Sequence, residues 1–128
     1  MPLLDHVGIK VTDLDRSVKF YQDVFGFEAL ERRRIGPDTD SVALKVGVNL
    51  ILLLHHPGYT TRNPEDPAGV DHFALSFDGA EWERLARRTR EWGVRFWAEY
   101  DRVQGATGWG PCQYILDPDG TQIEIKQA

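Results

Sequence analysis

The chain has 128 residues, 41% of them hydrophobic and 27% charged, a globular composition with enough length for one domain to bury its own core. Its net charge of −5 excludes a polyanion-binding role, so neither nucleic acid nor an acidic membrane surface is an expected partner. Cys112 is the only cysteine, which excludes an intrachain disulfide and a thiolate zinc cluster; with no secretory pattern at the Met-Pro start and no apolar run beyond residues 50–54, the expected compartment is the cytoplasm.

Residues 3–11 (LLDHVGIKV) alternate Val7, Ile9 and Val11 with His6, Gly8 and Lys10, the period of a half-buried strand. Asp13 then stands as a helix N-cap, Leu14, Val18, Tyr21 and Phe25 follow one helical face, and Gly26 ends the helix. Residues 27–34 read as a strand, 35–40 as a turn and 41–46 as the returning strand. Residues 49–55 form a fourth strand, apolar on both faces and so expected to be covered on both sides. Residues 57–69 carry three prolines and read as a linker.

The order then repeats. Residues 69–77 (GVDHFALSF) again set Asp-His at the head of an alternating run, with Phe73, Leu75 and Phe77 opposite His72, Ala74 and Ser76. Asp78 can cap a helix whose inward positions are Trp82, Leu85, Ala86, Thr89 and Trp92, and Gly93 stops it. Residues 94–100 read as a strand, 101–110 as a glycine-rich loop and 112–116 as a strand. Asp117-Pro118-Asp119-Gly120 has turn chemistry, and 121–126 close the chain as a strand. His72 follows His6 by 66 positions and Gly93 follows Gly26 by 67. Near-constant spacing predicts a duplicated βαβββ unit: module 1 over 1–56, the linker 57–69, and module 2 over 70–128 of one domain.

Strand parity separates the chemistry from the core. His6 and His72 lie opposite the Val7 and Phe73 rows that pack under the helices, and Glu124 lies opposite Ile123 and Ile125. Each residue alone has an ordinary reading, a solvated strand histidine or a surface glutamate. Jointly they put two imidazoles and a carboxylate on one concave face, a set that can hold a divalent metal with positions left open. Lys10 and Lys126 share that parity and are expected at its rim. Trp97, Tyr100 and Trp109 are candidates for a substrate pocket or for ordinary packing, and Cys112 reads as a buried strand thiol.

His6 in DHVGIKVTDLDRSVKFYQDVFGFE, His72 in DHFALSFD and the run YILDPDGTQIE from Tyr114 to Glu124 resemble the vicinal oxygen chelate superfamily: glyoxalase I, fosfomycin-resistance transferases, methylmalonyl-CoA epimerases, extradiol dioxygenases and bleomycin-resistance proteins. The resemblance spans essentially the whole chain. It implies an α+β fold of two βαβββ modules forming a cupped mixed sheet with helices outside, a homodimer, and a divalent ion (Zn, Mn, Fe, Ni or Co) on His6, His72 and Glu124. It further implies a small oxygen-chelating substrate, with Tyr114 hydrogen-bonding a substrate oxygen as in the dioxygenases and Glu124 beside it in the catalytic centre.

Two departures bear on the reaction. Glyoxalases and epimerases draw a fourth ligand, Glu or Gln, from the last strand of the first module. Here the inward row is expected to be Ile51, Leu53 and His55, with Ile51 or Leu53 at the ligand position and His55 as the only candidate replacement. Dioxygenases carry an acid–base histidine several residues before the tyrosine, and residues 104–108 are Gln-Gly-Ala-Thr-Gly. The expected activity is therefore a metal-dependent lyase, isomerase or transferase. The alternatives are an extradiol-type Fe(II) dioxygenase and a metal-free bleomycin-resistance-like protein that sequesters a ligand.

Overall fold

The computed structural model describes residues 3–61 and 70–128, so most of the expected linker, 62–69, lies outside the described residues. The chain divides into two compact units, Met1–Thr61 and Arg62–Ala128. No helix among the described residues is long and apolar enough to cross a membrane.

The first unit runs β1 (His6–Val11), α1 (Leu14–Phe25), β2 (Glu28–Ala29), β3 (Arg33–Ile35), β4 (Thr39–Val46) and β5 (Asn49–His55). Asp13 caps α1 by accepting from the Arg16 amide at 3.0 Å, and Gly26 ends it at φ 72°, a left-handed conformation that glycine adopts without steric cost. The buried stripe is Leu14, Ser17, Tyr21 and Val24, rotated from the expected one. Val18 and Phe25 are only half-buried, Phe25 being stacked between the rings of Tyr21 and Phe27. The strand expected over 27–34 is broken. From Ala29 to Arg33 the chain takes four steps while β4 takes three, from Leu44 to Ser41. One extra residue therefore bulges out of the ladder.

β1 pairs in parallel with β5, and β5 antiparallel with β4. Paired residues share a face, which sets Val7, Ile9 and Val11 with Ile51 and Leu53, and these with Leu44 and Val42. That face is the core, with Leu44 and Leu53 fully enclosed and α1 against β4 and β5. Truncating Leu53 to Ala would cost about 2–5 kcal/mol. The opposite face carries His6, Gly8 and Lys10 beside Leu50, Leu52 and Leu54. These leucines are half-buried, so β5 is covered fully on one side only.

The second unit runs β6 (Phe73–Phe77), α2 (Gly79–Glu91), β7 (Phe96–Gly105), β8 (Gly108–Leu116) and β9 (Gln122–Gln127), in sheet order β6-β9-β8-β7. β6 is parallel to β9, and β9-β8-β7 are antiparallel, which repeats the logic of the first unit. Asp78 caps α2 through the Glu81 amide at 2.9 Å. Leu85, Ala86 and Thr89 are buried, and the Trp82 indole donates to Ile125 O at 3.1 Å. Trp92, expected inward, is 55% exposed and lies under the Arg88 guanidinium; it caps the helix where the chain turns away.

The expected loop 101–110 is instead the end of a long hairpin, β7 and β8 joined through Ala106 and Thr107 alone. Its glycines serve close approach rather than looseness. A Cβ on Gly110 would lie 2.8 Å from Gln127 O, and one on Gly105 2.8 Å from Lys126 Cδ and Cε. Register shifts fall between Phe96 and Ala98, at Trp97, and between Tyr100 and Val103. The turn after β8 forms as expected: Asp117 Oδ1 accepts from the Asp119 and Thr121 amides, both at 2.9 Å.

Candidate functional site

The register of the second sheet gathers the chemistry on one face. Ala74, Glu124, Tyr114 and Ala98 form one cross-strand row, and Ser76, Lys126, Cys112 and Tyr100 the next. Glu124 stands between Ile123 and Ile125, both fully enclosed on the helix side, so alternation turns its carboxylate to the other face. His72 immediately precedes β6, and its imidazole reaches across to Glu124. Nε2 of His72 lies 3.0 Å from Glu124 Oε2. The Tyr114 hydroxyl donates to the same oxygen at 2.9 Å and lies 3.3 Å from Nε2. The His72 and Tyr114 rings meet edge to face with centroids 4.9 Å apart, and Tyr100 packs edge to face on Tyr114 from the far side.

Charge is enclosed here. The Glu124 side chain is 8% exposed and that of His72 30%. Burial pushes the Tyr114 phenol well above its ordinary value, and the hydrogen bond to Glu124 and that carboxylate's charge add to the shift. Tyr114 therefore remains a donor at neutral pH. Burial likewise raises the Cys112 thiol to about 11, with the Glu124 charge the next cause.

His72 Nδ1 is 2.7 Å from Asp71 Oδ2. With Nδ1–H donating to that carboxylate, Nε2 keeps a lone pair, and the lone pair faces Glu124 Oε2, itself an acceptor. Two acceptors 3.0 Å apart repel unless a proton or a cation lies between them. Two donors bound to one ion at about 2.1 Å stand at such a separation. The first unit repeats half of this arrangement: His6 Nδ1 is 2.6 Å from Asp5 Oδ1 and its side chain is 48% exposed. An aspartate holding Nδ1 and leaving Nε2 free is how proteins orient a metal-ligating histidine. The twofold Asp-His of the sequence is thus a carboxylate–imidazole pair used twice. Sequence reading singled out the histidines and missed Asp5 and Asp71, although the repeat itself carried the signal.

Glu124 pairs with Ala74, two residues after His72; the residue paired with Gly8, two after His6, is Leu52. By this register Leu52 is the first unit's counterpart of Glu124, and neither Ile51 nor Leu53 is. Those two face the core, and His55, paired with Val11, lies on the same core-facing row, which removes it as a replacement. The expectation failed because a strand apolar on both faces carries no phase. Lys126, expected at a rim, is enclosed. Trp97 and Trp109 are half-exposed on the hairpin, Trp109 under the Arg102 guanidinium. Among the described residues no group of three or more His, Cys, Asp or Glu forms a metal cluster; the second unit by itself supplies His72 and Glu124. A cleft of about 590 Å³ beside Thr89, Arg90 and Phe96 lies on the helix face, away from this chemistry.

A family model of the Glyoxalase/Bleomycin resistance protein/Dioxygenase superfamily matches residues 3–125. The chain belongs to this superfamily. It is 28% identical to the lactoylglutathione lyase GLX1 of Arabidopsis thaliana, aligning 95% of this chain with 43% of that protein. Against the glutathione transferase FosA of Serratia marcescens it is 27% identical, over 95% of this chain and 78% of the relative. The chain thus spans less than half the length of the plant relative and most of the bacterial one. Among solved structures, a glyoxylase/bleomycin resistance protein/dioxygenase domain from Frankia sp. EAN1pec superposes with a TM-score of 0.82 at 24% identity, over 100% of this chain and 98% of that one. The superfamily fold, α+β with two βαβββ units, is therefore that of this chain, and its relatives include lyases and transferases.

Proposed function

We propose that this chain is a metal-dependent enzyme of lyase, isomerase or transferase type acting on a small oxygen-chelating substrate. His6, His72 and Glu124 are its metal ligands, and two chains form the working homodimer in the cytoplasm. The observation that carries the reading is the His72 Nε2–Glu124 Oε2 pair, 3.0 Å apart with Glu124 enclosed and the imidazole held from behind by Asp71. That donor set suits a divalent ion: an imidazole nitrogen plus a carboxylate, with the enclosed Glu124 gaining a counter-charge at bonding distance. When bound, the ion supplies Lewis acidity toward a substrate oxygen.

The chain's own residues do the rest. Asp71 and Asp5 orient their imidazoles. Tyr114, kept protonated by its surroundings, donates a hydrogen bond that can pass from Glu124 to a substrate oxygen as negative charge develops there. Leu52 contributes no fourth ligand, which leaves more of the coordination sphere to substrate and favours the transferase type over the four-ligand glyoxalase type. Chelator-treated protein reconstituted with Zn²⁺, Mn²⁺, Fe²⁺, Ni²⁺ or Co²⁺ should take up about one ion per chain and sediment near twice 14.6 kDa. A screen of thiol-transfer and isomerase substrates on the loaded protein tests the reaction class. Full ligand sequestration with no metal uptake would instead establish the binding-protein reading.

A further inference from the structure

Lys126 is 2% exposed and stands on the Glu124 face, two residues along β9, a separation of about 7 Å. Its stem lies against Gly105, where any Cβ would collide with it. The ammonium has three donors and spends one, on Gln127 O at 2.8 Å. Among the described residues no carboxylate lies at ion-pair distance from it, and it has no second hydrogen-bond acceptor. An enclosed cation without a counter-ion is costly, and an aliphatic side chain would fill the space under Gly105 without that cost. The neighbourhood is open on one side. Ser76, paired with Lys126, is exposed, and its hydroxyl lies 3.5 Å from that of Thr107.

We infer that Lys126 is the anion-binding residue of this site, taking a carboxylate or phosphate oxygen of a small anionic substrate through its two unspent N–H donors, with the Ser76 and Thr107 hydroxyls at the entrance. The inference rests on the proposed function for the substrate's remaining oxygens, which reach the centre at His72 and Glu124. Its recognition step does not need a metal. Once Glu124 is neutralised by a cation, the Lys126 charge is left unbalanced on this face, and a substrate oxyanion restores the balance.

The test uses the chelator-treated 128-residue chain, titrated calorimetrically with inorganic phosphate and, separately, with glycolate. At least one probe should bind the wild type, weaken about tenfold or more in Lys126→Met, and be largely retained in Lys126→Arg, since charge-assisted hydrogen bonds depend on the cation. In Glu124→Gln, where the competing carboxylate is gone, binding should tighten, an effect that no bound metal can mimic. Binding of phosphate alone assigns a phosphate group, and binding of glycolate alone a carboxylate. Equal affinity in wild type and Lys126→Met, or no binding of either probe, overturns the inference. If Lys126→Met does not fold, Glu124→Gln decides, tightening supporting the inference and unchanged affinity refuting it. Intact anion binding with failed metal uptake would refute only the metal reading.

Discussion

Replacing Glu124 by Gln keeps the shape of the side chain and exchanges an enclosed carboxylate for an amide where His72 Nε2 and the Tyr114 hydroxyl converge. In metal-free protein an amide NH₂ standing where Oε2 stood can donate one N–H to the Nε2 lone pair and the other to the Tyr114 oxygen. A facing pair of acceptors becomes a hydrogen bond. Exchanging that facing contact for a hydrogen bond is worth about 1 kcal/mol, which for a chain of this size raises Tm by about 3–5 °C. Metal binding moves the other way. Orienting residues outside the ligand shell typically contribute roughly 10–100-fold to metal affinity, so loss of the anionic ligand itself should exceed that. Calorimetric unfolding in excess chelator and a competition titration with a chromophoric chelator read the two effects. A metal-free Tm that falls in Glu124→Gln, together with unchanged metal affinity, would refute the reasoning, because both outcomes belong to a carboxylate that serves only as a hydrogen-bond partner of His72 and Tyr114.

Asp71→Asn should weaken metal binding by about 10–100-fold while leaving the unfolding midpoint of the apo protein nearly unchanged; loss of fold with retained affinity would make Asp71 structural only. The Cys112 thiol, with an ordinary value of 9.0, is raised to about 11 in the folded chain, so the unfolded state loses its proton first and stability falls as pH rises from 9 toward 11. Thermal unfolding across that window should have a steeper slope in wild type than in Cys112→Ala, and parallel slopes would contradict the shift. Trp82→Phe removes the bond to Ile125 O and should cost about 1 kcal/mol in urea unfolding. Trp92→Ser, at an exposed cap, should cost less, and the reverse order would place the helix face wrongly.

The duplicated unit, both helix caps and the parity of β1, β6 and β9 were legible because each is written locally, in an alternation of period two or in one Asp ahead of a helical stripe. The parity of β5 was not, since NLILLLH is apolar at both phases and only its pairing with β1 assigns Leu52 to the His6 face. The hairpin of β7 and β8 read as a loop because its glycines resemble flexible turn residues. Their real constraint, contact with Lys126 and Gln127, comes from a strand distant in sequence. Trp92 read as core because a helical stripe continues in sequence past the point where the helix ends. The site was half legible. The meeting of His72, Tyr114 and Glu124 on one face followed from pattern and resemblance, whereas the aspartates behind the histidines and the enclosure of Lys126 depend on side-chain geometry that no spacing encodes.

His6 decides the central claim, because it is the one proposed ligand contributed by the first unit. Stoichiometric metal titration of chelator-treated wild type and His6→Ala, with His56→Ala as a control, measures its contribution directly. The account expects about one ion per chain in wild type and in His56→Ala, and loss of tight binding in His6→Ala with the unfolding midpoint of the apo protein preserved. Full stoichiometry and unchanged affinity in His6→Ala would contradict it.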